Sequence, residues 1–175
     1  MGKAKVSIVK TSPKPEYPEI LEAVKKALNL IGGIQDIVRP GHLVLLNPSW
    51  VAPPVEREAG CITIPEIPRA LAYIVKGLGA RPVIADSSSV GVNTEKVIRE
   101  SGYQELREMD YEVVNLKKTP SVRLSTSNGK VFESAECWVQ VPPSLPMGAW
   151  ANWICHQTFY LIIASSNLAA PTMWR

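Results

Sequence analysis

The chain has 175 residues, of which 19 are basic and 16 acidic, so its formal net charge is only +3. The charged residues are interspersed and form no clustered basic stripe, and we therefore expect no nucleic-acid partner. A chain of this length is expected to fold as one domain with a sizeable core, because about 70% of the unfolded surface is buried at roughly 150 residues.

Cysteine usage limits the cofactors that the chain could hold by itself. Cys61, Cys137 and Cys155 are widely spaced and include no Cys-x-x-Cys pair. An iron–sulfur cluster with four thiolate ligands therefore cannot be assembled from this chain's own cysteines. No motif specifies another cofactor. The N-terminal residues lack the apolar core of a signal peptide, which makes the cytoplasm the expected location.

Short apolar runs alternate with amphipathic segments along most of the chain. Apolar residues recur every three or four positions from Tyr17 to the Gly-Gly pair at 32–33, and again from the Thr-Ile-Pro-Glu capping box at 63–66 to Gly79. These patterns predict two helices, and Asn93 is expected to cap a third. Four apolar or β-branched runs predict strands, at residues 5–10, 43–46, 83–85 and 112–116.

The alternation of strands and helices predicts an α/β fold. We expect right-handed crossovers and a mostly parallel sheet in a three-layer arrangement with its crossover helices. A small hairpin should follow, because the pair Asn128-Gly129 separates residues 121–126 from residues 130–132 and Asn-Gly favours tight hairpin turns.

The composition changes abruptly after Glu136. All but one of the formally charged residues lie at or before this position, whereas four of the five tryptophans follow it. We therefore divide the chain into an α/β domain at residues 1–136 and an apolar, tryptophan-rich tail at 137–175. The tail contains polar residues and lacks basic flanks, so it is a poor membrane-spanning helix. It could be a buried C-terminal segment, an apolar patch that faces a partner, or a foreign or out-of-frame sequence.

Candidate site residues follow the second and third predicted strands. In an open parallel sheet, ligands bind at the carboxyl ends of the strands. Serines and a glycine before a helix suit a small anion, and Asp86 could hold a metal ion. In the alternative interpretation, the serines cap the helix and Asp86 orders its own loop. The candidate ligand-binding residues are Asn47, Ser49, Asp86, Ser87, Ser88 and Gly91.

Several ordered segments together resemble a known family. They are residues 5–10 (Lys-Val-Ser-Ile-Val-Lys), 31–33 (Ile-Gly-Gly), 51–54 (Val-Ala-Pro-Pro), 63–66 (Thr-Ile-Pro-Glu) and 79–89 (Gly-Ala-Arg-Pro-Val-Ile-Ala-Asp-Ser-Ser-Ser). In this combination the chain, from about residue 4 to about residue 135, resembles the family called domain of unknown function 362. The resemblance implies a microbial α/β domain that many relatives fuse to, or use beside, a ferredoxin-like iron–sulfur module. It implies no settled activity.

Two departures from the family pattern affect the expected site. Relatives typically carry Lys-Pro-Asn at the end of the second strand, where this chain has Asn47-Pro48-Ser49. The likeness also stops after Glu136, where relatives continue into a further strand. The chain is therefore incomplete relative to the family, and a separate C-terminal half is one expected partner.

Three functional hypotheses are consistent with these patterns. The first is a ligand-binding or enzymatic domain that holds a small anionic or metal-bound ligand and is linked to an iron–sulfur redox partner. The second is a non-catalytic interaction module that docks through its tail on a partner or on a second copy. The third is an inactive fragment. No motif specifies a substrate or a reaction.

Overall fold

The computed structural model describes residues 6–53 and 61–119, and the backbones of four further strands at residues 121–124, 137–140, 154–156 and 159–164. Its α-helices are α1 (Tyr17–Ile31), α2 (Glu66–Gly77), α3 (Thr94–Glu100) and α4 (Tyr103–Glu108). Its strands are β1 (Leu43–Pro48), β2 (Arg81–Asp86), β3 (Val113–Asn115), β4 (Ser121–Leu124), β5 (Cys137–Gln140), β6 (Ile154–His156) and β7 (Phe159–Ala164).

The helices begin and end close to the positions that the sequence predicts. Asn93 caps α3, since its side-chain oxygen accepts hydrogen bonds from the amides of Glu95 and Lys96. Gly79 follows α2 in the left-handed conformation, with φ of +75°. A side chain there would also lie only 3.3 Å from Pro40 Cβ, so glycine suits both the turn and the close approach.

The central sheet has the strand order β3-β2-β1-β7-β6. The three strands β1, β2 and β3 are parallel, with Leu45 opposite Val83 and Asp86 opposite Asn115. β7 runs antiparallel to β1 along all six of its residues, and β6 pairs with β7. The predicted α/β fold with a parallel sheet is confirmed in β1 to β3, where helices connect successive strands.

Side chains alternate between the two faces of the sheet and form two cores. Val44, Leu46 and Ile84 lie on one face and pack with residues from all four helices. Leu45, Val83 and Ala85 lie on the opposite face in a second buried cluster. No α-helix among residues 6–53 and 61–119 contributes to this second cluster. All described α-helices therefore cover the same face.

The prediction of a first strand at residues 5–10 is wrong for this structure. Residues 6–10 form no strand, and the side chains of Val6 and Ile8 are 77% and 88% exposed. The physical reason is that β-propensity needs a partner strand, and β7 already pairs with the edge of β1 that β2 leaves free.

Of the predicted hairpin around Asn128-Gly129, the structure describes only the first strand. Residues 121–124 form β4, but this strand pairs antiparallel with β5, from Leu124 opposite Cys137 to Ser121 opposite Gln140. Residues 130–132 lie outside the described residues. The division of the chain at residue 136 stays a prediction.

None of the helices in the described ranges combines the length and the apolar composition that crossing a membrane requires.

Candidate ligand site at the carboxyl edge of the sheet

A polar residue ends each of the three parallel strands. Asn47 lies near the end of β1, Asp86 ends β2 and Asn115 ends β3. Asp86 is directly opposite Asn115 in the sheet register. The Asn47 side-chain amide donates to Asp86 Oδ1 at 3.1 Å and to the carbonyl of Ala85 at 2.8 Å. The predicted convergence of Asn47 and Asp86 at one edge is therefore present in the structure.

The Asp86 carboxylate is held by neutral N–H donors. Its Oδ2 accepts the backbone N–H of Trp50 at 2.8 Å, so the carboxylate links the loop after β1 to the end of β2. Burial raises the pKa of the Asp86 carboxyl above its ordinary value, while hydrogen bonds from Ser87, Asn47 and Trp50 oppose the shift.

An aromatic pair supports the loop that carries the Trp50 amide. Trp50 is 1% exposed, and its ring meets that of Tyr103 edge-on with the centroids 4.9 Å apart. The Tyr103 hydroxyl donates to the carbonyl of Thr63 at 2.7 Å. Ser49 is fixed by the same residue, because its amide donates to Thr63 Oγ1 and its carbonyl accepts the Thr63 amide, both at 3.1 Å.

Four residues leave polar atoms available beside this framework. Asp86 is only partly buried, and so are Asn47, Ser49 and Ser87. Within the described part of the chain, the hydroxyls of Ser49 and Ser87 and the side-chain oxygen of Asn47 accept or donate no hydrogen bond. We call Asn47, Ser49, Asp86 and Ser87 the strand-end site.

Ser88 faces a different group. Its hydroxyl donates to the carbonyl of Val92 at 2.9 Å, lies 2.7 Å from Thr94 Oγ1 and accepts from Lys117 Nζ at 3.0 Å. Lys117 Nζ also donates to the carbonyls of Ser89 and Val92, each at 2.8 Å. We call this arrangement the Lys117 cradle. An ammonium group therefore already occupies the oxygen-rich side of the loop.

Gly91 lies at the exposed turn of the same loop, with φ of +79° and open space where a side chain would be. The loop is joined to the strand-end site through the Ser89 amide, which donates to the carbonyl of Val51 at 3.0 Å. At the start of α3, Asn93 Oδ1 accepts the amides of Glu95 and Lys96, and Thr94 Oγ1 accepts the amide of Ser88 in the preceding loop. The cap of α3 is therefore Asn93 and not one of the serines that the capping alternative named.

A second carboxylate ties α3 to the end of β3. Glu95 accepts from Arg107 Nη1 at 2.9 Å and from the Asn115 side-chain amide at 3.0 Å. Lys118 Nζ lies 3.4 Å from Glu95 Oε1, the oxygen that accepts from Asn115. Chiefly through the hydrogen bond from Arg107, this setting lowers the pKa of Glu95 to about 2. Glu95 is thus an ion-paired structural link.

The donor set limits which metal ion the strand-end site could hold. Within residues 6–53 and 61–119, no three His, Cys, Asp or Glu side chains cluster closely enough to bind a metal. A cation at Asp86 would therefore rely on amide and hydroxyl oxygens in addition to one carboxylate. Mg²⁺ and Ca²⁺ accept such oxygen ligands, whereas zinc prefers nitrogen and sulfur.

Sequence reasoning missed Trp50, Asn115 and Lys117. Asn115 carried a usable signal, because it is a polar residue next to the end of the predicted strand at 112–116, much as Asn47 and Asp86 directly follow the predicted strands at 43–46 and 83–85. Lys117 reaches the Ser88 loop through its long side chain, and its spacing in the sequence gives no hint of that contact.

Comparison with known proteins shows that the part of the chain that carries the strand-end site matches a family model. The model of the family described as "Domain of unknown function (DUF362)" matches residues 44–142, which include β1 to β5. The chain belongs to the DUF362 family. The DUF362 match contains the whole strand-end site and the Lys117 cradle. The predicted resemblance is thereby confirmed.

A curated relative is the thylakoid-associated protein sll1697 of Synechocystis sp., which is 31% identical over 106 residues. The alignment covers 58% of this chain and 32% of the relative, so the chain spans about a third of the length of that protein. No solved structure gives a significant match.

Proposed function

We propose that this DUF362 domain binds a small anionic ligand through a divalent cation at the strand-end site. The observation that carries the proposal is the Asp86 carboxylate, which lies at the carboxyl edge between the loops of two parallel strands. Open α/β sheets bind ligands at such edges. Because Asp86 repels a bare anion, a bridging cation is the arrangement that accommodates both charges.

The available oxygens fit this role. Asn47 directs its amide N–H groups at Ala85 and Asp86, so its side-chain oxygen is left for a ligand. Ser87 directly follows Asp86, Ser49 directly precedes Trp50, whose amide donates to the carboxylate, and both serines are partly exposed. The proposal assigns cation contact to these four residues. Ser88 serves to fix the neighbouring loop, and Gly91 forms its outer rim.

Maintaining this carboxylate is unfavourable for folding. Burial opposes ionisation of Asp86, and within residues 6–53 and 61–119 no cationic side chain offsets that penalty. Residues that are kept at some cost in stability are typical of functional sites. This consideration favours the ligand-binding role over a purely structural one, although the hydrogen bonds of Asp86 serve both.

Calorimetric titration of the intact chain with Mg²⁺, Ca²⁺, phosphate and nucleotides, each alone and in combination, tests the proposal. We expect a divalent cation to bind and to strengthen the binding of an anion. Asp86→Asn should abolish both effects, whereas Asp36→Asn, at an exposed aspartate elsewhere, should leave them unchanged. Equal binding by the parent chain and Asp86→Asn would exclude the site.

The partner assignments belong to the same proposal. We propose a cytoplasmic location, and the family resemblance supports a partnership with a ferredoxin-like iron–sulfur module or with a separate C-terminal half. The greater length of sll1697 leaves room for further modules in that relative.

Association of copies through residues 137–175 is a further expectation. Light scattering at several concentrations would detect it as a rising mass, and a constant monomer mass would exclude it.

A further inference from the structure

The positions of the helices indicate where a strand preceding α1 would lie. β1 connects to β2 through α2, and β2 connects to β3 through α3 and α4, so the chain advances across the sheet in one direction with its helices on one face. Such crossovers are almost always right-handed. Because α1 packs on that same face and beside α2, a strand before it belongs on the side of β1 away from β2.

The orientation of α1 supports the same conclusion. Tyr17, the first residue of α1, stacks under the guanidinium of Arg69 in the first turn of α2, with Arg69 Cζ 3.8 Å from the ring centroid. The far ends of both helices line one groove, which includes Asn29 of α1 and Gly77 of α2. The two helices are therefore parallel, and α1 has the direction of a crossover helix that follows a strand parallel to β1.

A suitable segment directly precedes α1. Residues 6–10 have the sequence Val-Ser-Ile-Val-Lys, whose β-branched side chains favour a strand. Six residues separate this segment from Tyr17, which is an ordinary length for a connection between strand and helix. Ser12 anchors that connection, because its amide and hydroxyl donate to the Glu19 carboxylate at 2.6 and 2.7 Å.

We propose that the edge of β1 opposite β2 is a strand-exchange site, for which residues 6–10 and β7 compete. In the structure β7 takes the edge and residues 6–10 remain unpaired, with Val6 and Ile8 in water. When β7 detaches, residues 6–10 pair with β1 in parallel orientation and place alternate apolar side chains against the sheet. One edge provides hydrogen bonds for only one strand at a time.

Hydrogen exchange of the intact chain, followed by mass spectrometry, tests the exchange. Ile8→Pro removes an N–H from the competing segment, and the exposed position of Ile8 means that the observed fold should tolerate the change. Without its competitor, β7 should detach less often, and its amides should exchange several-fold more slowly than in the parent chain. The control Ile8→Val keeps the strand propensity and should leave the exchange of β7 unchanged.

The converse variant acts on β7. Ile162, which lies opposite Leu45, is changed to proline, with Ile162→Val as the control. In Ile162→Pro, the amides of residues 6–10 should exchange about tenfold more slowly, and adding Ile8→Pro should remove that protection. The proposal is overturned if β7 exchanges equally in the parent chain and in Ile8→Pro, a result that does not depend on whether Ile162→Pro folds. Protection of residues 6–10 that grows with protein concentration would also overturn it, since pairing would then be between chains.

Discussion

Asp86 and Glu95 lie on either side of the same loop, yet their surroundings shift their pKa values in opposite directions. Among the described residues, Asp86 has N–H donors but no cationic partner, and burial raises its pKa. Glu95 is paired with Arg107 and Lys118, and its pKa falls to about 2. Ionised Glu95 therefore stabilises the fold, whereas ionised Asp86 destabilises it. The comparison assigns Glu95 to the structural framework and leaves Asp86 as the carboxylate that could serve a ligand.

Trp50→Ala should have the largest effect on this contrast. Removing a buried indole costs about 3–5 kcal/mol of unfolding free energy, and Trp50 is both buried and packed on Tyr103. Water that enters the vacated space should lower the pKa of Asp86 toward its ordinary value, whereas the pKa of Glu95 should stay near 2. Urea denaturation and carboxyl NMR titration measure the two effects. Tyr73→Ala, at an exposed aromatic residue of α2, is the control, and an unchanged Asp86 pKa in Trp50→Ala would contradict the role of burial.

Glu95→Gln should have an intermediate effect. At neutral pH the free energy of unfolding of Glu95→Gln should be about 1–2 kcal/mol lower than that of the parent chain. This loss is smaller than the full pKa shift implies, because Glu95 and Arg107 are each 28% exposed and water screens their interaction. The folded-state pKa lies below the ordinary value of 4.5. The stabilisation is therefore complete above pH 4.5 and is lost as the pH falls from there toward 2.

Denaturation of the parent chain and Glu95→Gln across this pH range provides the measurement. Glu108→Gln, at an exposed position of α4, should match the parent at every pH. A difference between the parent and Glu95→Gln that persists unchanged at the acid end of the range would show that the ion pair is not its source.

Local signals in the sequence were sufficient for most of β1 to β3 and for the helices. Gly79 follows the end of α2 and Asn93 caps α3, as predicted from the sequence. The polar ends of β1 and β2 meet because the loops that follow parallel strands lie at the same edge of the sheet. The pairing of β1 with β7 could not be predicted in this way because β7 lies far from β1 in sequence, and the pairing of β4 with β5 could not because register is a tertiary property. Residues 6–10 show the same limit: their strand propensity is real, but in this structure another segment has taken the edge.

Within the site, sequence reasoning found the residues whose position alone identifies them. Asn47 and Asp86 follow from strand ends, whereas the roles of Ser88 and Lys117 depend on side-chain reach across the loop. In the sequence, nothing distinguishes Ser87 from Ser88 as a candidate ligand-binding residue. Only the contacts separate Ser87, which keeps a hydroxyl available in the described part of the chain, from Ser88, which is committed to the Lys117 cradle.

Asp86→Asn should change stability least and ligand binding most. The folded-state pKa of Asp86 is raised above 3.8, so folding favours the protonated form, and the cost of ionisation develops as the pH rises from 3.8 through the folded-state pKa. The amide is neutral at every pH, and its oxygen can still accept the Trp50 amide. At neutral pH the free energy of unfolding of Asp86→Asn should therefore be at most about 1 kcal/mol below that of the parent chain, or should exceed it.

The pH dependence distinguishes this prediction from a simple loss of hydrogen bonds. If ionisation of Asp86 destabilises the fold, the free energy of unfolding of Asp86→Asn relative to that of the parent chain should increase as the pH rises from about 3 to 7. Asp36→Asn should show no such trend. A loss of several kcal/mol at neutral pH would show instead that the charged form of Asp86 holds the two loops together, and the reason for regarding it as a ligand-binding residue kept at a cost would then disappear. Normal stability together with lost cation binding would establish that the carboxylate serves the ligand rather than the fold.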